Sequence, residues 1–221
     1  MANKASGRFA ILLRAGPKPW EMINAFRAKY PSLKDVMPPA PPESSWSESR
    51  LPYIPFVPKL PPSSLEEFQK ELPAFASSQK PFSVEIKEPY IMSRKFTEEY
   101  GLGWSLDVEP LNQFRSELWK RFQSLVPEGE TFTRKAFGDP RDTASLTIRT
   151  STMGMTKAQA EEALSDLQGS SHGLESVDIL GLALQPYSRG KNSKGRPGTW
   201  GLRVTEERML GQYALGAESQ S

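Results

Sequence analysis

The sequence predicts an α+β protein of two similar lobes, each a β-α-β-α-β unit, with mostly antiparallel sheets around a central cleft. Three observations lead there. Runs of strand-like alternation and stretches with apolar residues at helical spacing follow one another in the same order twice along the 221 residues. The helix-opening signature Ser64-Leu65-Glu66-Glu67 recurs as Thr156-Lys157-Ala158-Gln159, a hydroxyl residue followed three positions later by Glu or Gln. The intervals agree as well. Nine residues separate Pro55 from Ser64 and nine separate Thr147 from Thr156; Ser64 to Val84 is 20 residues and Thr156 to Val177 is 21.

Taken in order, Arg8 to Leu13 is apolar enough for a buried strand, and Trp20, Ile23, Phe26 and Tyr30 form a helical stripe. Nine of the 20 prolines fall between Pro38 and Pro62, so Pro38 to Arg50 is expected to be a loop. Leu51 to Val57 is extended. Ser64 opens a helix with Leu65, Phe68 and Leu72 inward, which Pro73 is expected to end. Phe82, Val84 and Ile86 then alternate as a strand.

The second half starts with a strand from Trp104 to Val108. Pro110, at a first helical position, opens a helix carrying Leu111, Phe114, Leu118, Phe122 and Leu125 on one face. A strand covers Thr143 to Thr150, a helix with Ala160, Ala163, Leu164 and Leu167 follows Thr156, and Val177, Ile179, Leu182 and Leu184 mark another strand. Trp200 to Val204 supplies a last strand. The expected organisation is one two-lobed domain over residues 1–221. Lobe one covers about 8–92, with the Pro-rich loop 38–50 inside it, lobe two covers about 103–205, and a disordered tail runs from about 210 to 221.

Composition narrows function mainly by exclusion. With 28 basic and 26 acidic residues the net charge of +2 generates no field that would by itself imply nucleic acid. There is one histidine, His172, and no cysteine, which removes His/Cys metal sites, Cys nucleophiles and any chemistry needing two imidazoles. No metal and no cofactor is expected. The apolar run Phe9 to Leu13 is too short for a signal h-region or a membrane span, and the absence of Cys fits a reducing compartment. The chain is therefore expected to be soluble and intracellular, cytoplasmic or nuclear, with no membrane partner.

Two short segments at equivalent places carry a family resemblance. Pro52-Tyr53-Ile54-Pro55-Phe56-Val57-Pro58 leads into the first capped helix, and Ala144-Ser145-Leu146-Thr147-Ile148-Arg149 leads toward the second. In this layout the chain resembles the 2H phosphoesterase superfamily, which includes LigT-like 2′-5′ RNA ligases and cyclic nucleotide phosphodiesterases. Members carry a His-x-Thr or His-x-Ser motif in each lobe, facing a shared cleft. Here Tyr53 and Ser145 stand at the two histidine positions, Thr147 matches the second hydroxyl position, and Pro55 takes the first. The resemblance implies that one histidine acts as base and the other as acid. A phenol near pKa 10 and a serine hydroxyl cannot exchange protons at neutral pH as an imidazole near 6.5 does. Losing one such group commonly costs a factor of about 10²–10⁴, so loss of both predicts a protein without the family's catalysis.

Binding can outlast catalysis. Ser145, Thr147 and Arg149 alternate onto one face of a strand and would present two hydroxyls and a guanidinium to a nucleotide or RNA phosphate. A half-exposed strand with a polar solvent face gives the same pattern. Two other functions stay open: an active phosphodiesterase with a non-histidine mechanism using Tyr53, and an interaction scaffold offering Pro39-Ala40-Pro41-Pro42 to a protein partner. His172, in Gly169-Ser170-Ser171-His172-Gly173, reads as a surface loop. The stretch Ser188 to Gly198, with Arg189, Lys191, Lys194 and Arg196 and no acid, reads as a solvated hairpin or a phosphate-backbone contact.

Overall fold

The computed structural model describes residues 8–30, 53–93, 100–138, 144–147, 155–168, 176–191, 197–201 and 209–216. The first half gives β1 (Arg8–Ala15), α1 (Lys18–Lys29), β2 (Tyr53–Leu60), α2 (Leu65–Ser78) and β3 (Phe82–Ser93). The second gives β4 (Tyr100–Leu106), α3 (Val108–Phe122), α4 (Thr131–Gly138), β5 (Ala144–Thr147), α5 (Lys157–Gln168), β6 (Ser176–Lys191), β7 (Pro197–Gly201) and β8 (Gly211–Ala214). All the described strands join one eight-stranded sheet, ordered β2-β1-β6-β3-β4-β5, with β7 and β8 also on β6. Every pairing is antiparallel.

That order carries the duplication. Exchanging β1 with β4, β2 with β5 and β3 with β6 turns it into its own reverse, so the two halves are related by a pseudo-two-fold through the β3–β6 pairing. Val84 faces Val177 there, both fully buried. The halves of the sequence are nevertheless not the halves of the sheet. β6 pairs with β1 and β3 pairs with β4, so each three-stranded half takes its third strand from the other half of the chain.

The helices obey the same symmetry. Helix α2 packs on α3 and on β6, and α5 packs on β3 and β4. Arg121 of α3 bridges to Glu71 of α2 at 2.6 Å, and across the pseudo-two-fold Tyr30, just after α1, donates to Asp166 of α5 at 2.6 Å. The core lies between the helices and one face of the sheet. Phe9, Phe56 and Phe82 meet an aromatic cluster from the helices, in which Phe68 stacks on Phe122 at 5.0 Å and Phe114 lies against Phe56, Phe75 and Phe82. Leu102, Trp104 and Leu106 close the core against Ala160, Ala163 and Leu167.

Several local expectations are corrected. Pro73 sits inside α2 rather than ending it. The Ser64 capping box does not close: Ser64 ends a short 3-10 turn with no side-chain cap, and its hydroxyl donates instead to the Leu125 carbonyl. The Thr156 box does close, with the Gln159 N–H donating to Thr156 Oγ1 at 3.3 Å and Gln159 Oε1 accepting from the Thr156 N–H at 2.9 Å. Pro110 lies in the third position of α3, whose cap is Asp107 accepting from the Glu109 N–H. Residues from 210 onward, expected to be a disordered tail, include β8 because β6 outruns β3 and leaves an unpaired edge from Gly181 to Leu184. Leu215 is then buried, and Gly216, at φ +68°, turns the chain so that its N–H reaches the Ala76 carbonyl. Helix α4 has no counterpart among the elements expected from periodicity. The Pro-rich loop 38–50, Arg149 and His172 lie outside the described residues.

Candidate functional site

The two motif segments occupy equivalent strands at opposite ends of the strand order. Tyr53 and Pro55 fall on β2, Ser145 and Thr147 on β5, and the sheet is curved enough that β2 and β5 come into contact. Pro55 and Pro58 are accommodated because β2 is an end strand, where a missing ladder N–H is tolerated. Two register shifts, each with its extra residue on β2, accompany them, and the neighbours Phe56 and Val57 are both buried in the core.

Register gives each motif residue its neighbour on the adjoining strand. On β5, Ala144 and Leu146 are the register partners of the core residues Leu106 and Trp104, and Ser145 and Thr147 are those of Ser105 and Gly103. On β1, Ile11 and Leu13 face the core, so Leu12 and Arg14, paired with Pro55 and Tyr53, share the opposite face. Leu12 and Arg14 of β1 and Ser105 of β4 thus lie on the sheet face opposite the core cluster, and their register partners are the motif positions Pro55, Tyr53 and Ser145. Arg149, the third expected phosphate ligand, is outside the described residues.

The structure adds polar groups to this face that sequence patterning missed. Arg14 is 6% exposed, a buried cation at the register position beside Tyr53. Gln185 is fully buried on the same face of β6, paired with Ala10 and two residue pairs from Leu12 and Ala183. Ser105, beside Ser145, donates to the Glu88 carbonyl at 3.0 Å. Tyr90 is the register partner of Gly103, in a row that continues to Thr147. An arginine inside the otherwise apolar run Arg8 to Ala15 was the available signal for Arg14; the others depend on strand pairings that no local pattern encodes.

One end of this face is held by α4. Arg8 shares the face of Leu12 and Arg14, and its guanidinium grips Glu130 in a two-pronged ion pair at 2.8 and 3.3 Å, with the buried Thr133 hydroxyl 3.4 Å away. The hydrogen bond from Arg8 holds the Glu130 carboxyl below its ordinary range, against the opposing effect of burial, with the Arg8 charge and Thr133 adding to the lowering. A segment of the second half is thereby pinned to the first strand of the first.

Of the basic stretch, Ser188 pairs with Gly201, Arg189 with Trp200 and Lys191 with Pro197, whereas Lys194 and Arg196 lie outside the described residues. Among the described residues, no group of three His, Cys, Asp or Glu is arranged to hold a metal ion, and no helix is long and apolar enough to cross a membrane.

No family model matches the chain, and no curated protein sequence matches it. Solved structures do. TT0787 of Thermus thermophilus aligns over 96% of this chain and 99% of its own at 12% identity, with a TM-score of 0.48. Usb1 of Kluyveromyces marxianus aligns over 81% and 94% at 10% identity, with a TM-score of 0.45. LigT of E. coli, solved in complex with 3′-AMP, aligns over 96% and 99% at 16% identity, with a TM-score of 0.41.

Proposed function

We propose that this protein is a 2H phosphoesterase-like binding protein that takes a nucleotide or RNA phosphate in the cleft between its motif strands and no longer turns it over. The observation that carries this reading is the placement of the two motif pairs. They lie on pseudo-symmetric strands that approach each other, and Arg14 and Ser105 are the register partners of Tyr53 and Ser145. Hydroxyls and a guanidinium are suited to phosphate oxygens, since charge-assisted hydrogen bonds are roughly twice as strong as neutral ones. Tyr53 and Ser145 at the two acid-base positions supply no group that titrates near neutrality in its ordinary state. LigT was solved in complex with 3′-AMP, and a nucleoside phosphate is accordingly the first probe.

The test is calorimetric titration of the full chain with a nucleoside 3′-phosphate and a nucleoside 2′,3′-cyclic phosphate, beside a turnover assay on the cyclic compound. Binding without turnover is expected. Thr147→Ala should weaken binding about tenfold, the value of one hydrogen bond to a charged group. Turnover that Tyr53→Phe abolishes would replace this reading with an active enzyme, and a wild type that binds neither compound would end it.

A further inference from the structure

We propose that Tyr90, on a strand that carries neither motif, is a ligand-contacting residue of the cleft, its phenol donating to the same phosphate ester that Thr147 holds. This rests on the cleft reading above. Tyr90, Gly103 and Thr147 are successive register partners across β3, β4 and β5, and Tyr90 lies outside the core cluster. A Cβ placed on Gly103 would stand 3.3 Å from each of Cε1, Cζ and the hydroxyl oxygen of Tyr90. The far edge of the ring therefore lies over β4, leaning away from its own strand. Gly103 is itself the register partner of Thr147, on the strand about 4.8 Å further along the sheet. Glycine at 103 is what admits the ring: any larger residue would force it to give by a few tenths of an ångström.

The equivalent row in the first half has a different chemistry. Thr147, Gly103 and Tyr90 correspond to Pro55, Leu12 and Ala183, the last two fully buried and none bearing a side-chain hydroxyl. This row is thus polarised, with side-chain hydroxyls in the second half and none in the first. A phenol is a single donor on a ring with few rotatable bonds, so fixing it against Gly103 limits the entropy lost when a ligand is held.

The experiment titrates the full chain with a nucleoside 2′,3′-cyclic phosphate, comparing wild type, Tyr90→Phe, Gly103→Ala and Thr147→Ala, with thermal melts to establish that each folds. Tyr90→Phe removes one oxygen from a half-buried ring and should weaken binding about tenfold with its melt unchanged. Gly103→Ala should weaken it too, by moving the ring while removing no polar atom. The Tyr90 ring resonances of the wild type should shift as ligand saturates. Wild-type affinity in Tyr90→Phe together with a loss in Thr147→Ala overturns the role of Tyr90 and leaves the cleft reading standing. Unmoved ring resonances at saturation overturn it equally, and a wild type without affinity removes both.

Discussion

Glu130 shows what a single contact does for this molecule. Its carboxylate joins the start of α4 to Arg8 of β1, and Arg8 holds it in the ionised form at lower pH than an ordinary glutamate. A carboxyl depressed in the folded state contributes stability that is present above its unfolded pKa and fades as pH falls through the lowered folded value. Urea midpoints measured from pH 7 to pH 3 should therefore fall more steeply for wild type than for Glu130→Gln. The pair is about one-third exposed, so the variant should lose no more than about 1 kcal/mol at neutral pH. At this scale the spacing of Tyr53, Pro55, Ser145 and Thr147 was enough to expect them on equivalent strands, where β2 and β5 carry them, because spacing along a strand is local. It did not identify Tyr90 or Ser105, whose significance comes from the strand paired beside them. Arg14 was visible as a charge in an apolar run, yet only the register with Tyr53 says what that charge faces.

Elements show the same division between local and distant causes. Two near-identical helix-opening signatures have different outcomes, because the Ser64 hydroxyl is taken by the Leu125 carbonyl from another segment, whereas Thr156 and Gln159 bond each other. Most strands and helices were legible from periodicity. The short helix α4 and the four-residue β8 were not, since β8 is a strand only because β6 offers it an open edge. Pro73 is the clearest case of packing overriding propensity. Helix α2 continues for five residues past it, with Phe75 and Ala76 buried, although a proline in a helix interior costs about 3 kcal/mol relative to alanine. Pro73 itself is exposed, so Pro73→Ala should disturb no core contact. It is expected to raise unfolding free energy by about 1–3 kcal/mol, less a few tenths for the freer unfolded chain, read from the urea midpoint at constant slope.

At the scale of the whole molecule, the exchanged strands decide how the protein comes apart. β6 completes the half-sheet of β1 and β2, and β3 completes that of β4 and β5, so neither half of the chain holds a finished sheet. Unfolding should be a single transition with equal calorimetric and van't Hoff enthalpies, despite the two-lobed layout. Ile179 is fully buried where β6 pairs with both β1 and β3. Ile179→Ala should cost about 2–5 kcal/mol and lower that one transition without splitting it. The duplication was legible because matching intervals survive in the sequence; the exchange was not, because intervals do not say which copy of a strand a neighbour accepts. That exchange bears on how such a molecule could be assembled from parts. A chain carrying only one half could build this sheet only with a second copy, each lending its last strand to the other, and its assembly would weaken on dilution. Residues 94–99, joining β3 to β4, turn the same association into an intramolecular event, so that the sheet closes at any concentration.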